Sequence, residues 1–237
     1  MVEELQKLID ESDNIVFFGG AGVSTESGIK DFRGENGLYK VKQKYNRAPE
    51  YMLSRMCLMD EPEIFFEYYR ENMSSENIKP NITHKYLKKL EDKGKLKAIV
   101  TQNIDGLHQK AGSKNVLEVH GTTYSAYCME CNKEYPGDVI FKAKGIPKCE
   151  CGGTIRPRVT LYGEGLPKAF EEAMVYISNA DLLIVAGTSL TVEPASSLLK
   201  YFHGRNLVII NNMSTPYDFM STLIINKPLG EVFKKLK

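Results

Sequence analysis

NIVFFGGAGVSTESGIKDFRG (residues 14–34) begins as a short apolar run and turns at once into Gly19, Gly20 and Gly22. A run with no polar alternation suits a parallel strand covered on both faces, and glycines at its carboxyl end leave bare backbone N–H groups that a pyrophosphate could approach. The turn departs from G-x-G-x-x-G, because Thr25 stands where the third glycine would be and no acidic residue closes a second strand about 20 residues on. A plain glycine turn therefore stays open as the alternative. Asp31-Phe32-Arg33 then sets an anion, an apolar ring and a fixed cation in succession beside the turn. Such a ring can shield a reactive carbon from water, and the guanidinium can hold phosphate or orient a closing lid.

Outward from this stretch, further strand-like runs occur at 96–101, 115–119, 180–187, 206–210 and 221–225. Helical spacing appears between them, at Leu5, Leu8 and Ile9, at Tyr86, Leu87 and Leu90, and at Leu198, Leu199 and Phe202. Continuous apolar strands alternating with amphipathic helices predict an α/β, doubly wound parallel sheet. Two stretches break the alternation. Residues 35–82 carry helical runs such as PEIFFEYYREN and no convincing strand, which predicts a small helical module; residues 122–157 hold four clustered cysteines and little apolar periodicity, which predicts a module organised by metal more than by burial.

The chain has 237 residues, 42% of them hydrophobic, enough for a proper core. Its formal net charge of +1 provides no field that would gather nucleic acid or an anionic membrane. Neither a leader-like start nor an apolar run approaching the ~20 residues of a membrane span is evident, so a cytoplasmic protein is expected. In a reducing compartment cysteines are thiols or metal ligands before they are disulfides. Cys128-x-x-Cys131 and Cys149-x-Cys151, followed by Gly152-Gly153, read as four thiolates around one structural zinc, a closed tetrahedral site with no open position for catalysis. Unliganded thiols or a redox pair are the alternatives. Cys57 reads as a core residue.

Two more strand ends carry chemistry. TQNIDGLHQKAG (101–112) follows one strand with Gln102, Asn103 and Asp105, side chains suited to reading hydroxyls and a carboxamide; helix capping explains one of them but not all three. LEVHGTTY (117–124) ends another strand at His120, a general-base candidate near neutral pH. His84, His108 and His203 are expected to be structural.

In chain order, GAGVSTESGIKDFRG (20–34), TQNIDGLH (101–108), His120-Gly121, the paired cysteines, YGEGLP (162–167), GTSLTVEPA (187–195) and VIINNMSTPYD (208–218) resemble the motifs of the sirtuins, the NAD-dependent protein deacylases, over nearly the whole chain. The resemblance, to a compact bacterial type, implies a Rossmann-like NAD-binding domain from residues 1–34, 83–121 and 158–237, with the helical module at 35–82 and the zinc-binding module at 122–157. It implies that Gly20, Ala21, Gly22, Thr25, Phe32 and Arg33 line the NAD site, that Gln102 meets the nicotinamide ribose, and that Asn103, Ile104 and Asp105 form the nicotinamide pocket. His120 matches the family's general base, with Asn103 beside it in the catalytic set. Thr188 and Ser189 match contacts to the adenosine side, and Asn211 matches the reader of the adenine ribose. The stretch 160–166, with Thr160, Tyr162, Gly163, Glu164 and Leu166, resembles the segment that pairs with an extended substrate peptide.

The implied reaction consumes NAD as a co-substrate. The amide oxygen of an acetylated lysine attacks the ribose carbon as nicotinamide leaves, His120 takes a proton from a ribose hydroxyl, and water finally releases the acetyl group on ADP-ribose. Departures from the family pattern fall at Lys30, where proline is usual, and at Arg158 and Thr160 in RPRVTLYGE. The Tyr-x-x-Arg pattern of members that remove acidic acyl groups is missing around Tyr45 to Arg55, which favours neutral acyl groups, acetyl first. An ADP-ribosyltransferase using the same pocket, and a non-catalytic zinc-containing NAD-sensing or nucleic-acid-binding module, are the alternatives. The balanced charge disfavours nucleic acid, and a monomer with no membrane partner is expected.

Overall fold

The structure, a computed structural model, describes residues 1–31 and 45–237. Its strands in chain order are β1 (Ile15–Gly19), β2 (Leu96–Thr101), β3 (Val116–Glu118), β4 (Gly121–Cys128), β5 (Glu134–Pro136), β6 (Ile155–Val159), β7 (Leu182–Ala186), β8 (Asn206–Ile210) and β9 (Leu223–Ile225). Six of them form one sheet in the order β3-β2-β1-β7-β8-β9, with every neighbouring pair parallel. Alternate residues of each strand enter different cores. Ile15 and Phe17 pack with Leu5, Ile9, Leu87, Leu90 and Phe233 on one face, while Val16 and Phe18 pack with Ala173, Ile177, Leu198 and Leu199 on the other. This two-sided burial is why the strands show no polar alternation.

The six apolar runs singled out in the sequence all lie in this sheet. The helix Ala169–Asn179 is an addition to that reading, although Phe170, Ala173, Met174 and Ile177 recur at helical spacing and face the second core. The segment after Pro194 winds as a 3₁₀ helix, Ala195–Tyr201.

Helices Pro49–Met52, Arg55–Asp60 and Pro62–Asn72 occupy the described part of the expected helical module. The cysteine-bearing stretch departs from expectation, for it contains an antiparallel sheet, β5-β4-β6, and a short helix, Asp138–Lys142. Burial therefore organises it in part. Phe65, Phe66 and Tyr69 from the helices share one core with Ala126, Cys128 and Ile155 from this sheet and Ile140 from the short helix, so the two inserted stretches form one lobe. Among the described residues no helix is long and apolar enough to cross a membrane.

His84 and His108 lie under the first core with their ring centroids 4.7 Å apart, and Phe17 meets His108 edge-on. Burial holds His84 down to about 4 and His108 to about 3. In the unfolded chain both rings take protons below about 6.5, so the unfolded state binds more protons as the pH falls and stability drops from there downward. At pH 5 the expected loss is on the order of 2 kcal/mol per imidazole. Urea midpoints at pH 7 and pH 5 should therefore lie further apart in the wild type than in His108→Leu; equal separations would show that this ring does not contribute.

Candidate active site

β1, β2 and β7 end at one level, with Gly19 paired to both Thr101 and Ala186. Beyond β1 the chain makes two 3₁₀ turns, Ala21–Val23 and Thr25–Ser27. The glycines here serve close approach between loops. The Gly22 amide donates to Gly187 O at 2.8 Å, and a Cβ on Gly22 would lie 2.8 Å from Gly187 Cα. The Gly20 amide is likewise bonded to Ala186 O, so these two amides act within the protein. Ala21 is half-buried and Thr25 exposed, its hydroxyl donating to Gly22 O. Phe32 and Arg33, expected to complete this loop, lie outside the described residues.

The segment after β2 is laced to this loop. Asn103 Nδ2 donates to Gly20 O and to Ser24 Oγ, both at 3.1 Å, leaving Oδ1 as the acceptor end of the amide. Ser24 Oγ donates to Asp105 Oδ2 at 2.6 Å, and Asp105 Oδ1 accepts the Leu107 amide. Burial raises the Asp105 carboxyl above its ordinary range against these hydrogen bonds. Gln102 Nε2 reaches across to Thr188 Oγ1 at 3.0 Å, joining the β2 end to the β7 end. Ile104 packs against the core of the inserted lobe, and its carbonyl accepts both the amide and the hydroxyl of Thr123.

His120 follows β3, with Nδ1 at 3.1 Å from Gln102 O. A carbonyl can only accept, so Nδ1 carries the proton and Nε2 is the basic nitrogen of the neutral ring. Burial lowers the His120 pKa, opposed by this hydrogen bond. Gly121 has φ +76°, and a Cβ there would lie 2.2 Å from Arg158 O, so the residue after His120 must be glycine for β4 to meet β6. The main-chain oxygen of His120 accepts from Thr160 N at 2.8 Å.

Thr160 is half-buried, and Tyr162 and Gly163 are exposed at the start of a turn whose far side carries half-buried Leu166. Glu164 points inward, to Arg156 and the Leu161 amide. Arg158 faces away along the lobe, with its guanidinium paired to Glu134 and lying 4.7 Å from the Tyr127 ring. On the opposite side, Ser189 Oγ lies 2.9 Å from Thr191 Oγ1, and Asn211 donates from Nδ2 to Met213 O beyond β8.

Cys128, Cys131, Cys149 and Cys151 bring their sulfurs within 4.8 Å of one another. The Cys128–Cys151 and Cys131–Cys149 pairs are 3.5 and 3.6 Å apart. Four thiolates about 2.3 Å from a tetrahedral zinc stand about 3.8 Å from each other, so the set fits zinc. The short Cys149-x-Cys151 spacing is accommodated by Gly152 at φ +86° and by Gly153, where a Cβ would strike Cys128 Sγ. Tyr135 donates its hydroxyl to Cys149 Sγ at 3.0 Å and holds that thiol down to about 6, favouring the thiolate that a metal needs.

Comparison with known proteins places this architecture. The model of the Sir2 family matches residues 20–194. The chain belongs to the Sir2 family. An NAD-dependent protein deacetylase of Clostridium acetobutylicum is 52% identical over 98% of this chain and 96% of its own length, and one of Staphylococcus aureus is 44% identical over 99% and 97%. A solved Sir2 structure with a deacetylated p53 peptide and 3'-O-acetyl ADP-ribose superposes with a TM-score of 0.90 at 40% identity, covering 98% of this chain and 96% of the other. A Sir2 complex with p53 peptide and NAD+ gives 0.88 at 39% identity, covering 99% and 96%.

Two residues of this Sir2-family site escaped the sequence reading. Ser24 is the hub between Asn103 and Asp105, and its only signal was a small polar residue inside a glycine turn. Glu118, half-buried two residues before His120, is held up to about 7 by burial, against hydrogen bonds to Gln109 and Thr122. An acidic residue in an otherwise apolar strand was the available clue. Replacing Ser24 with Ala removes both hub contacts. A hydrogen bond to a charged group is worth ~1.5–3 kcal/mol, so kcat/KM for NAD should fall roughly tenfold to a hundredfold. Steady-state kinetics with varied NAD measure it. For the cysteine cluster, atomic emission should find one zinc per chain, and Cys128→Ala should lose both the metal and thermal stability.

Proposed function

We infer that this chain is an NAD-dependent protein-lysine deacetylase, transferring the acetyl group of an acetyl-lysine to ADP-ribose and releasing nicotinamide. One observation carries the reading: the same residue, His120, is bonded through its ring to the Gln102 carbonyl and through its main chain to Thr160. A neutral imidazole thus stands between the segment assigned to nicotinamide and the segment assigned to the peptide. The relatives are named NAD-dependent protein deacetylases, and the solved Sir2 complexes hold NAD+, acetylated peptide or acetyl ADP-ribose with deacetylated peptide.

In this reading Nε2 of His120 accepts the proton of a ribose hydroxyl, made competent by burial that disfavours imidazolium. Asn103 offers Oδ1 towards the nicotinamide site while its Nδ2 is fixed by the first loop. Asp105, Ile104 and Ser24 shape that pocket's floor. Gly20, Ala21, Gly22 and Thr25 lie in the loop assigned to the diphosphate, and Phe32 and Arg33, outside the described residues, are assigned to the same cofactor; Gln102 faces the nicotinamide ribose, Thr188 and Ser189 the adenosine side, and Asn211 the adenine ribose. Thr160, Tyr162, Gly163 and Leu166 receive the acetyl-lysine peptide as an added strand. The zinc is structural and supplies no chemistry at the reacting carbon. The protein works as a cytoplasmic monomer with no nucleic-acid partner, which accords with its near-zero net charge.

Incubation with an acetyl-lysine peptide and NAD should release nicotinamide one-for-one with deacetylated peptide. ADP-ribose appearing on a protein acceptor without deacetylation would instead identify a transferase. His120→Tyr should abolish turnover and leave the circular dichroism spectrum unchanged. Because proton binding disables the base and burial lowers its pKa, the acid limb of kcat/KM should have its midpoint below the 6.5 of an ordinary histidine. A limb centred above that value would remove His120 from the role.

A further inference from the structure

We propose that Arg156 is a positioning residue for the substrate strand, holding residues 160–164 in the shape that a peptide main chain pairs with; the proposal rests on the deacetylase reading. Arg156 lies in β6 and is 4% exposed. Its guanidinium meets the Glu164 carboxylate with both ends, Nη1 to Oε1 at 2.5 Å and Nη2 to Oε2 at 3.0 Å. Nη2 also donates to Val159 O at 2.8 Å and Nε to Pro157 O at 3.2 Å, while the Tyr127 ring covers the group at 5.6 Å. The Glu164 carboxylate in turn accepts the Leu161 amide at 2.9 Å, and Leu161 O accepts the Glu164 amide.

Glu164 is therefore turned away from the peptide face, and its charge closes the turn from within. The rest of the segment is anchored at both ends: Thr160 N to His120 O, Tyr162 N to Leu53 O, and Arg55 N to Tyr162 O. Leu161 sits between these anchors, and among the described residues its amide is held by Glu164, the partner of Arg156. A strand that is already shaped when the peptide arrives loses less conformational freedom on pairing, so the device acts on peptide affinity. A fork is required, because a lysine cannot make the two-ended contact and the carbonyl contacts together. Removing either partner would leave the other charge buried alone.

The test compares wild type, Arg156→Lys and Glu164→Gln on an acetyl-lysine peptide of about 15 residues and on a capped single acetyl-lysine, which has no flanking main chain to pair. In both variants the ratio of kcat/KM for the peptide to that for the capped residue should fall about tenfold, with the peptide KM rising and the NAD KM within about twofold of wild type. Equal losses on both substrates, or a parallel rise in the NAD KM, would overturn the proposal in favour of a general structural role. Hydrogen exchange on the wild type provides a check that needs no variant. The Leu161 amide should be protected before peptide is added; fast exchange that slows only with peptide would also overturn it. A wild type that deacetylates neither substrate would refute the deacetylase reading, and the exchange result would still decide whether the segment is held.

Discussion

Gly19, Thr101 and Ala186 are lateral neighbours across the centre of the parallel sheet, and three of the loops around the candidate site begin one residue later. Gly20, Gln102 and Gly187 leave the sheet at the same height because β1, β2 and β7 share this register. A slip of one residue would exchange Phe17 with Phe18 between the two cores, each filled for a particular set of side chains. Register is thus fixed by packing volume on both faces. The cross-links above the sheet, from Gly22 to Gly187, Gln102 to Thr188 and Asn103 to Gly20, exist because packing below has set their height.

The central sheet could be read from the sequence because two-sided burial leaves a plain mark, an apolar run too continuous for a half-solvated strand. The strand-end clusters could be read for a related reason: polar residues such as Gln102-Asn103 are conspicuous after LKAIV. The inserted lobe was harder. β4 has only Thr123, Ala126 and Cys128 buried among eight residues, so its pattern looks like a loop until the helices of residues 49–72 are laid against it. Long-range polar partners left no trace at all. Nothing local says that Glu164 turns inward to Arg156, or that Asn81 Nδ2 donates to Val23 O and ties the helix Ile82–Asp92 to the first loop.

Burial pushes the ionisable groups around His120 in a consistent direction. The carboxyls of Asp105 and Glu118 are raised and the imidazole of His120 is lowered, so each moves towards its uncharged form. Glu118, held up to about 7, is divided between acid and carboxylate near neutral pH. A floor built this way holds a basic nitrogen in its neutral form. It also limits fixed negative charge that would repel a diphosphate. The hydrogen bonds from Ser24 to Asp105 and from His120 to Gln102 oppose these shifts while fixing where each group stands.

The inserted lobe bears on this site through its packing. Cys128 is a metal-ligand candidate and also a fully buried member of the lobe's core, at the last position of β4. β4 pairs with β6, from Cys128 opposite Ile155 to Gly121 opposite Val159, and the chain leaving β6 becomes the 160–164 segment. Four thiols within 4.8 Å of one another have no apolar substitute for the ion that would hold them together. Loosening that corner removes support from β4 at one end, while His120 stands just before its other end. A metal at the cysteine cluster would therefore act on His120 and on residues 160–164 through strand pairing alone, because both adjoin the far end of the same pair of strands.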